Sequence, residues 1–193
     1  MSEHSPEPIG MRGWAVPMRP RSPDEAHRTS TPLELFFDLV FVVAVAQAAG
    51  ELHHGIAENH VAQAVVSFAM VFFAIWWAWM NFTWFASAYD TDDVPYRLTV
   101  FVQLVGALTL AAGVPRAFED RDFSIVTAGY MMMRLALVGQ WLRAGRSDPQ
   151  HRATTSRYVV GVGAVQVCWI GLLLVPEAWR TIGFFVLVLA ELL

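Results

Sequence analysis

Long apolar blocks separated by short polar stretches run along most of the chain, and this pattern predicts membrane-spanning helices. A helix needs about 20 mostly apolar residues to cross a bilayer. Blocks of this kind predict helices over about 32–49, 61–89, 96–114, 123–144, 157–175 and 178–193. The predicted fold class is therefore all-α, a polytopic transmembrane helical bundle of about six helices with the lipid bilayer as its surroundings.

The two ends of the chain differ from this pattern. Residues 1–30 are rich in Pro, Ser, Arg and Glu and contain no apolar signal-peptide core, which predicts a disordered cytoplasmic tail before a transmembrane domain at 31–193. Ser30 or Thr31 as N-cap, with Pro32 at the first helical position, is typical of a helix start. The last helix is still apolar at Leu193, so we expect the chain to be the N-terminal part of a longer protein, truncated at its C-terminus.

Arginines near the predicted helix ends place the N-terminus in the cytoplasm, because cytoplasmic segments carry the excess of basic residues. Nine lie in the tail and in the second and fourth connections, against three in the connections on the other side. All 13 basic residues are arginine, and they are scattered rather than gathered in a stripe, so no nucleic-acid partner is expected. The composition agrees with a membrane protein, since 55% of the residues are hydrophobic and 16% are charged.

In this orientation, the polar residues inside the predicted spans converge on the cytoplasmic half of the bilayer. Glu34 and Asp38 are an i, i+4 pair on the first helix, and Asn81 and Gln103 lie at similar depth on the second and third. An arginine near the bilayer centre, such as Arg134, costs roughly 3 kcal/mol even on lenient scales, so it needs a partner or a wet cavity. Asp38 matches it best in depth, and Glu34 is the second choice.

These five residues form the candidate binding site for an ion or a small polar solute: Glu34, Asp38, Asn81, Gln103 and Arg134. The alternative is that Asp38 and Arg134 only cross-link the first and fourth helices. Either interpretation treats an ionisable residue inside a span as the first place to look for function.

Two other polar clusters are candidates for metal binding. The connection after the first helix contains three histidines, His53, His54 and His60, whose spacing matches no zinc motif, so a solvated loop is expected. The turn after the second helix contains Asp90, Asp92 and Asp93, but it lacks the glycine and the distal glutamate of a calcium loop. No metal site, cofactor or catalytic motif is predicted, and the chain is not expected to be an enzyme.

Two segments together resemble the bacterial low temperature requirement A (LtrA) family. They are TPLELFFDLVFVVAVAQ at 31–47 and WWAWMNFTWFASAYDTDDVPYRLTVFVQLVG at 76–106, and the resemblance extends over about residues 30–193. It implies a multi-pass protein of the bacterial plasma membrane, about twice this length, named for a cold-growth phenotype rather than for a reaction. Carried over by position, the characteristic polar residues are Glu34, Asp38, Asn81, Tyr89, Asp90, Asp93 and Arg97.

The second of these segments is predicted to mark the membrane interface. Trp84 and Tyr89 are expected in the aromatic belt, Trp77 lies deeper, and Arg97 opens the next helix. Asp90 and Asp93 are expected in cytoplasmic water.

Three functions are compatible with these features. The first is a transporter or channel-like protein that uses the polar site in the cytoplasmic half of the bilayer. The second is a non-transporting membrane scaffold or cold-stress adaptation component, in which the polar groups only hold helices together. The third is a metal-dependent lipid-handling enzyme that uses the acidic turn at headgroup depth.

Overall fold

The computed structural model of the chain describes residues 14–21, 30–149 and 151–192, and their backbone is almost entirely helical. The helices are α1 (Pro32–Ala57), α2 (Val61–Ala88), α3 (Val94–Glu119), α4 (Ser124–Ser147), α5 (Arg152–Leu173) and α6 (Glu177–Leu192). Two short strands, β1 (Arg19–Pro20) and β2 (Tyr89–Asp90), pair antiparallel. Helices α1 to α5 are long and apolar enough to cross a membrane by length and composition. The prediction of an all-α, multi-pass membrane bundle is confirmed, whereas its orientation stays a prediction.

Capping side chains fix where two of the helices begin. The Thr31 hydroxyl accepts a hydrogen bond from the Glu34 backbone N–H at 3.2 Å, with Pro32 at the first position, as the sequence predicts. Asp93 caps α3 by accepting from the Tyr96 N–H at 3.0 Å. Helix α3 therefore begins before Tyr96, two residues earlier than predicted.

Three helices extend beyond their predicted C-terminal ends: α4 by three residues, to Ser147, and α1 and α3 by more. Helix α1 continues through most of the predicted polar loop at 51–60, because Gly55 allows its last turn to approach α2 closely: a Cβ there would lie 2.6 Å from the Cβ of Ala64. Helix α3 continues past Pro115 for another turn. The reason is packing, since Ala117 and Phe118 after the proline are both buried in the core.

The antiparallel pair α3 and α4 forms the centre of the bundle, with their backbones nearly in contact. A Cβ on Gly129 would lie 2.5 Å from the Gly106 carbonyl oxygen and closer still to the Leu110 nitrogen. Helix α1 packs against α2 and α3, and α5 lies between α4 and α6. Phe37 of α1 stacks on Phe82 of α2 with ring centroids 3.7 Å apart, which joins the outer helices to this core.

Residues 14–21, called here the N-terminal segment, pack on the end of the bundle where α2 passes into α3. The Arg21 N–H donates to the Ala88 carbonyl at 3.0 Å, and Met18 is 1% exposed inside the core. For this segment the prediction of a disordered tail is wrong. The buried Met18 side chain and the β1–β2 pairing attach it to the bundle, although its average composition is polar. Residues 1–13 and 22–29 lie outside the described part of the chain.

Candidate functional site

A buried ion pair between α4 and α6 lies at the centre of the candidate site. Arg134 Nη2 donates to Glu191 Oε1, and both side chains are 3% exposed. The α4 positions at which buried residues recur include Tyr130, Met133 and Arg134, so the same helical face that packs into the core carries the charge. In this setting, little water screens the attraction between the two groups.

The Glu191 carboxylate also accepts two further hydrogen bonds. The Tyr130 hydroxyl donates to Oε1 at 2.7 Å, and the Trp169 indole N–H donates to Oε2 at 3.1 Å. The Arg134 guanidinium additionally lies over the Tyr130 ring, 5.6 Å from its centroid, a cation–π arrangement. One carboxylate of α6 therefore ties together residues of α4 and α5.

This arrangement corrects the predicted partner of Arg134. Asp38 does not pair with it; its Oδ1 atom accepts from the Trp79 indole N–H at 2.7 Å, in a groove between α1 and α2. Sequence reasoning missed Glu191, although it is the only acidic residue within the predicted span 178–193. Helices α4 and α6 begin on the same side of the bundle. Arg134 lies about 15 Å along the axis of α4 from its start, and Glu191 lies about 21 Å along the axis of α6 from its start. That similar depth was the available signal.

Arg134 and Glu191 line a cleft of about 420 Å³ between α2, α4, α5 and the end of α6. Trp77, Trp84 and Tyr158 supply its aromatic walls, and its other polar lining residues include Asn81 and Arg157. Arg157 and Tyr158 near the start of α5 are exposed, and we call this end of the cleft its mouth; Trp84, Gly161 and Leu192 of the lining are exposed as well. The cleft thus has an apolar body with a few polar side chains, the general character of small-molecule sites.

Of the five predicted binding residues, the structure brings two to this cleft, Asn81 and Arg134. Gln103 lies on α3 and faces α4, where its amide donates to Gln140 Oε1 at 3.0 Å, and both glutamines are 2% exposed. Glu34 is buried on α1, and Asp38 is in the groove with Trp79. The structure therefore does not bring the five predicted residues together in one site.

Several buried polar atoms have no hydrogen-bond partner among the described residues. In the cleft lining these are Nε and Nη1 of Arg134 and Nε1 of Trp77. Buried polar groups are nearly always hydrogen-bonded, so each exception calls for an explanation. All three atoms are N–H donors, and two of them belong to the charged residue at the inner end of the cleft.

At the end of the bundle, Asp93 joins three parts of the chain. Besides capping α3, its carboxylate accepts from the Val16 N–H at 2.8 Å and from both terminal nitrogens of Arg143. Arg143 also donates to the Val16 carbonyl at 2.7 Å, which fixes the N-terminal segment at this corner. Burial acts to raise the pKa of Asp93, but the hydrogen bonds from Arg143, Val16 and Tyr96 lower it further than burial raises it, so the pKa is below its usual value.

A second aspartate of the acidic turn, Asp92, is also paired with an arginine. Arg97 makes two hydrogen bonds of 2.7 Å to Asp92. These hydrogen bonds are the largest influence on the pKa of Asp92 and lower it. The side chain of Asp90 lies outside the described part of the structure. Within the described residues, no three His, Cys, Asp or Glu side chains are grouped as metal ligands would be.

The aromatic residues of this motif lie in two environments. Trp84 is 47% exposed and meets Trp77 edge to face at 5.7 Å. Tyr89, expected in the interfacial belt, is instead buried: it stacks on Phe85 at 5.4 Å and touches the edge of Trp141. The strand pairing of β2 with the N-terminal segment covers this position, which explains the difference.

Comparisons with known proteins agree with the resemblance seen in the sequence. A protein of Rhizobium meliloti (strain 1021) that is described as uncharacterized is 30% identical over 137 residues, which are 71% of this chain and 32% of that protein. The aligned part of this chain thus spans about a third of the length of this relative. No solved structure matches the chain significantly. The model of the family described as bacterial low temperature requirement A protein (LtrA) matches residues 29–193, and the chain belongs to this family.

Proposed function

We propose that this LtrA-family protein is a transporter or channel-like protein of the bacterial plasma membrane that takes a small polar solute into the cleft between α2, α4, α5 and α6. One observation carries the proposal. Arg134 is buried, keeps two N–H groups without a partner among the described residues, and lines a cleft rather than a filled helix interface. An ion pair that served packing alone would be surrounded by close-packed side chains.

The cleft provides a path from the bundle end toward the bilayer centre. Trp141 stacks on Tyr158 at 4.8 Å, and Tyr130 meets Trp169 at 6.0 Å, so α4 and α5 run antiparallel and Arg134 is level with about Val165. Both Arg157 and Val165 line the cleft. These two positions are eight residues apart, which corresponds to about 12 Å along α5. A solute that enters at Arg157 would therefore reach Arg134 well inside the membrane.

A steric block tests this proposal without removing any charged group. Gly161 lines the cleft, and a Cβ there would meet nothing within 4 Å, so a leucine side chain can start there without a clash and occupy space in the cleft. Gly171 lies on the same helix, is equally open, and is not part of the cleft lining, so Gly171→Leu is the matched control. We expect flux of at least one ion or small polar solute into proteoliposomes of the full-length protein, strongly reduced by Gly161→Leu and unchanged by Gly171→Leu.

A second candidate function is a membrane scaffold or cold-adaptation component without transport. The observation that favours it is the Glu191 carboxylate, which holds residues of α4 and α5 with three hydrogen bonds. In that case flux assays across ions and small solutes stay silent, Gly161→Leu supports growth in the cold as well as Gly171→Leu does, and only variants that lose folded protein lose function. That combination of results would contradict the transport proposal.

A further inference from the structure

We infer that the ligand of this cleft is a monoanion with a compact apolar body, such as a small carboxylate. This inference rests on the proposed function in one respect, namely that the cleft receives a solute. It goes further by naming the chemistry of that solute, and it can fail while the transport proposal stands.

The first argument is the character of the unsatisfied groups. Every buried side-chain polar atom without a partner in the described lining of the cleft is a donor: Nε and Nη1 of Arg134 and Nε1 of Trp77. An acceptor-rich ligand satisfies them, whereas an ammonium group or a metal ion brings only positive charge toward them. Hydrogen bonds from guanidinium to carboxylate are among the strongest in proteins. Because these atoms are covered, a ligand reaches them only when lining side chains move aside.

The second argument is the charge of the lining. Its described ionisable side chains of fixed sign are Arg134, Arg157 and Glu191, which leave one positive charge in excess. The one carboxylate already accepts from Tyr130, Arg134 and Trp169, so it has little capacity left for a cation. Because Glu191 pairs with Arg134, the excess charge is that of Arg157, and a ligand with one negative charge balances it.

The third argument concerns the body of the ligand. Trp77, Trp84 and Tyr158 form the aromatic part of the wall, and Val162 and Val165 are apolar as well, so the ligand meets an apolar and aromatic surface around its charged end. Such walls favour an apolar or planar body over a strongly hydrated ion such as sulfate. The expected class is therefore a monocarboxylate or a similar organic monoanion.

Binding measurements with isosteres test the inference directly. Benzoate, benzamide and benzylammonium share a phenyl ring and are similar in size but have negative, zero and positive charge, and tryptophan fluorescence can follow each titration because Trp77 and Trp84 line the cleft. With the full-length protein in lipid nanodiscs, we expect saturable binding of benzoate, at least tenfold tighter than that of benzamide or benzylammonium. Acetate and acetamide form a second, smaller pair of probes for the same comparison.

An arginine substitution at the mouth connects the binding to this cleft. Arg157 is exposed, so Arg157→Gln leaves the bundle core intact, and we expect it to weaken benzoate binding about tenfold or more while that of benzamide stays the same. Arg152 is an exposed residue of the same helix outside the cleft lining, and Arg152→Gln should bind benzoate like the wild type. This pair of variants separates a local contact from a change in overall charge.

The possible failures are distinguishable. If neither monoanion binds, if benzylammonium binds as tightly as benzoate, or if Arg157→Gln leaves benzoate affinity unchanged, the monoanion inference is wrong. Flux of a neutral or cationic solute that Gly161→Leu blocks would support transport and overturn the inference. Benzoate binding that depends on Arg157, without flux of any solute, would support the inference and overturn transport.

Discussion

Removing one member of the buried Arg134–Glu191 pair should cost far more stability than removing both. In Glu191→Gln the guanidinium stays buried, with a neutral amide in place of the carboxylate, and the side chains of this pair are only 3% exposed. Breaking a buried pair in this way costs about 3–5 kcal/mol. The amide keeps one acceptor oxygen, which can still serve Tyr130, but the Trp169 N–H then faces the new NH2 group, so we expect a loss of at least about 3 kcal/mol.

The double variant Arg134→Gln/Glu191→Gln completes the cycle. Arg134→Gln alone leaves the Glu191 carboxylate buried without its cation, which again costs about 3 kcal/mol. With both charges gone, no buried ion lacks a counter-charge, and the two amides can bond to each other. We therefore expect the double variant within about 2 kcal/mol of the wild type, far from the sum of the two single losses.

Equilibrium unfolding in mixed micelles of dodecylmaltoside and SDS, followed by tryptophan fluorescence, measures each corner of the cycle. The exposed pair Asp92 and Arg97, with side chains 51% and 54% exposed, provides the control cycle, in which we expect a coupling too small to measure. Additive losses at Arg134 and Glu191, or equal coupling in the two cycles, would show that the buried contact does not hold the bundle together as its geometry indicates.

Close packing and the acidic corner lead to two more expectations. Gly129→Ala should lower stability by about 2 kcal/mol or more, because its Cβ would meet the backbone of α3. The control variant Gly139→Ala, on the same helix, meets nothing within 4 Å and should be neutral or slightly stabilising. Thermal unfolding in detergent compares the two variants, and equal melting temperatures would refute the packing argument. The pKa of Asp93 is lower in the folded than in the unfolded protein. The ionised carboxylate therefore contributes its full share to folding stability above about pH 4, and this stability is lost as the pH falls through the lowered pKa. Hydrogen exchange of the N-terminal segment should accelerate in that acidic range, and Asp93→Asn should make the exchange fast at neutral pH as well; an exchange rate that does not depend on pH in the wild type, after correction for intrinsic chemistry, would contradict this.

The helices were predictable because a long apolar block has few alternatives in a membrane, where every backbone group must be hydrogen-bonded internally. Their ends were less so. The stretch from Glu51 to Ala57 is polar enough for a loop, but a solvated helical turn has the same composition, and the close approach at Gly55 decides between them. Pro115 predicted an end of α3 that the burial of Phe118 overrides.

The partner of Arg134 shows what depth alone leaves open. Sequence fixes how far along its helix each residue lies, but the direction in which it points also depends on the order of helices around the bundle. Asp38 and Glu191 are both acids within reach by depth, and only the packing of α6 against α5 makes Glu191 the partner. The same reasoning explains Gln103, which has the expected depth but faces Gln140.

The abrupt change from tryptophans to aspartates in the motif at 76–106 follows from the two places that this stretch of chain serves. Its helical part places Trp77 and Asn81 at the cleft, and the turn that follows places Tyr89 and Asp93 against the N-terminal segment and α4. A line of rings connects the two places: Tyr89 meets Trp141 at 6.0 Å, and Trp141 stacks on Tyr158 in the cleft wall at 4.8 Å. The apolar half of the motif therefore forms a wall of the cleft and the acidic half anchors the end of the same wall. The effect of a substitution in either half should therefore be measured both at the cleft and at the contact with the N-terminal segment.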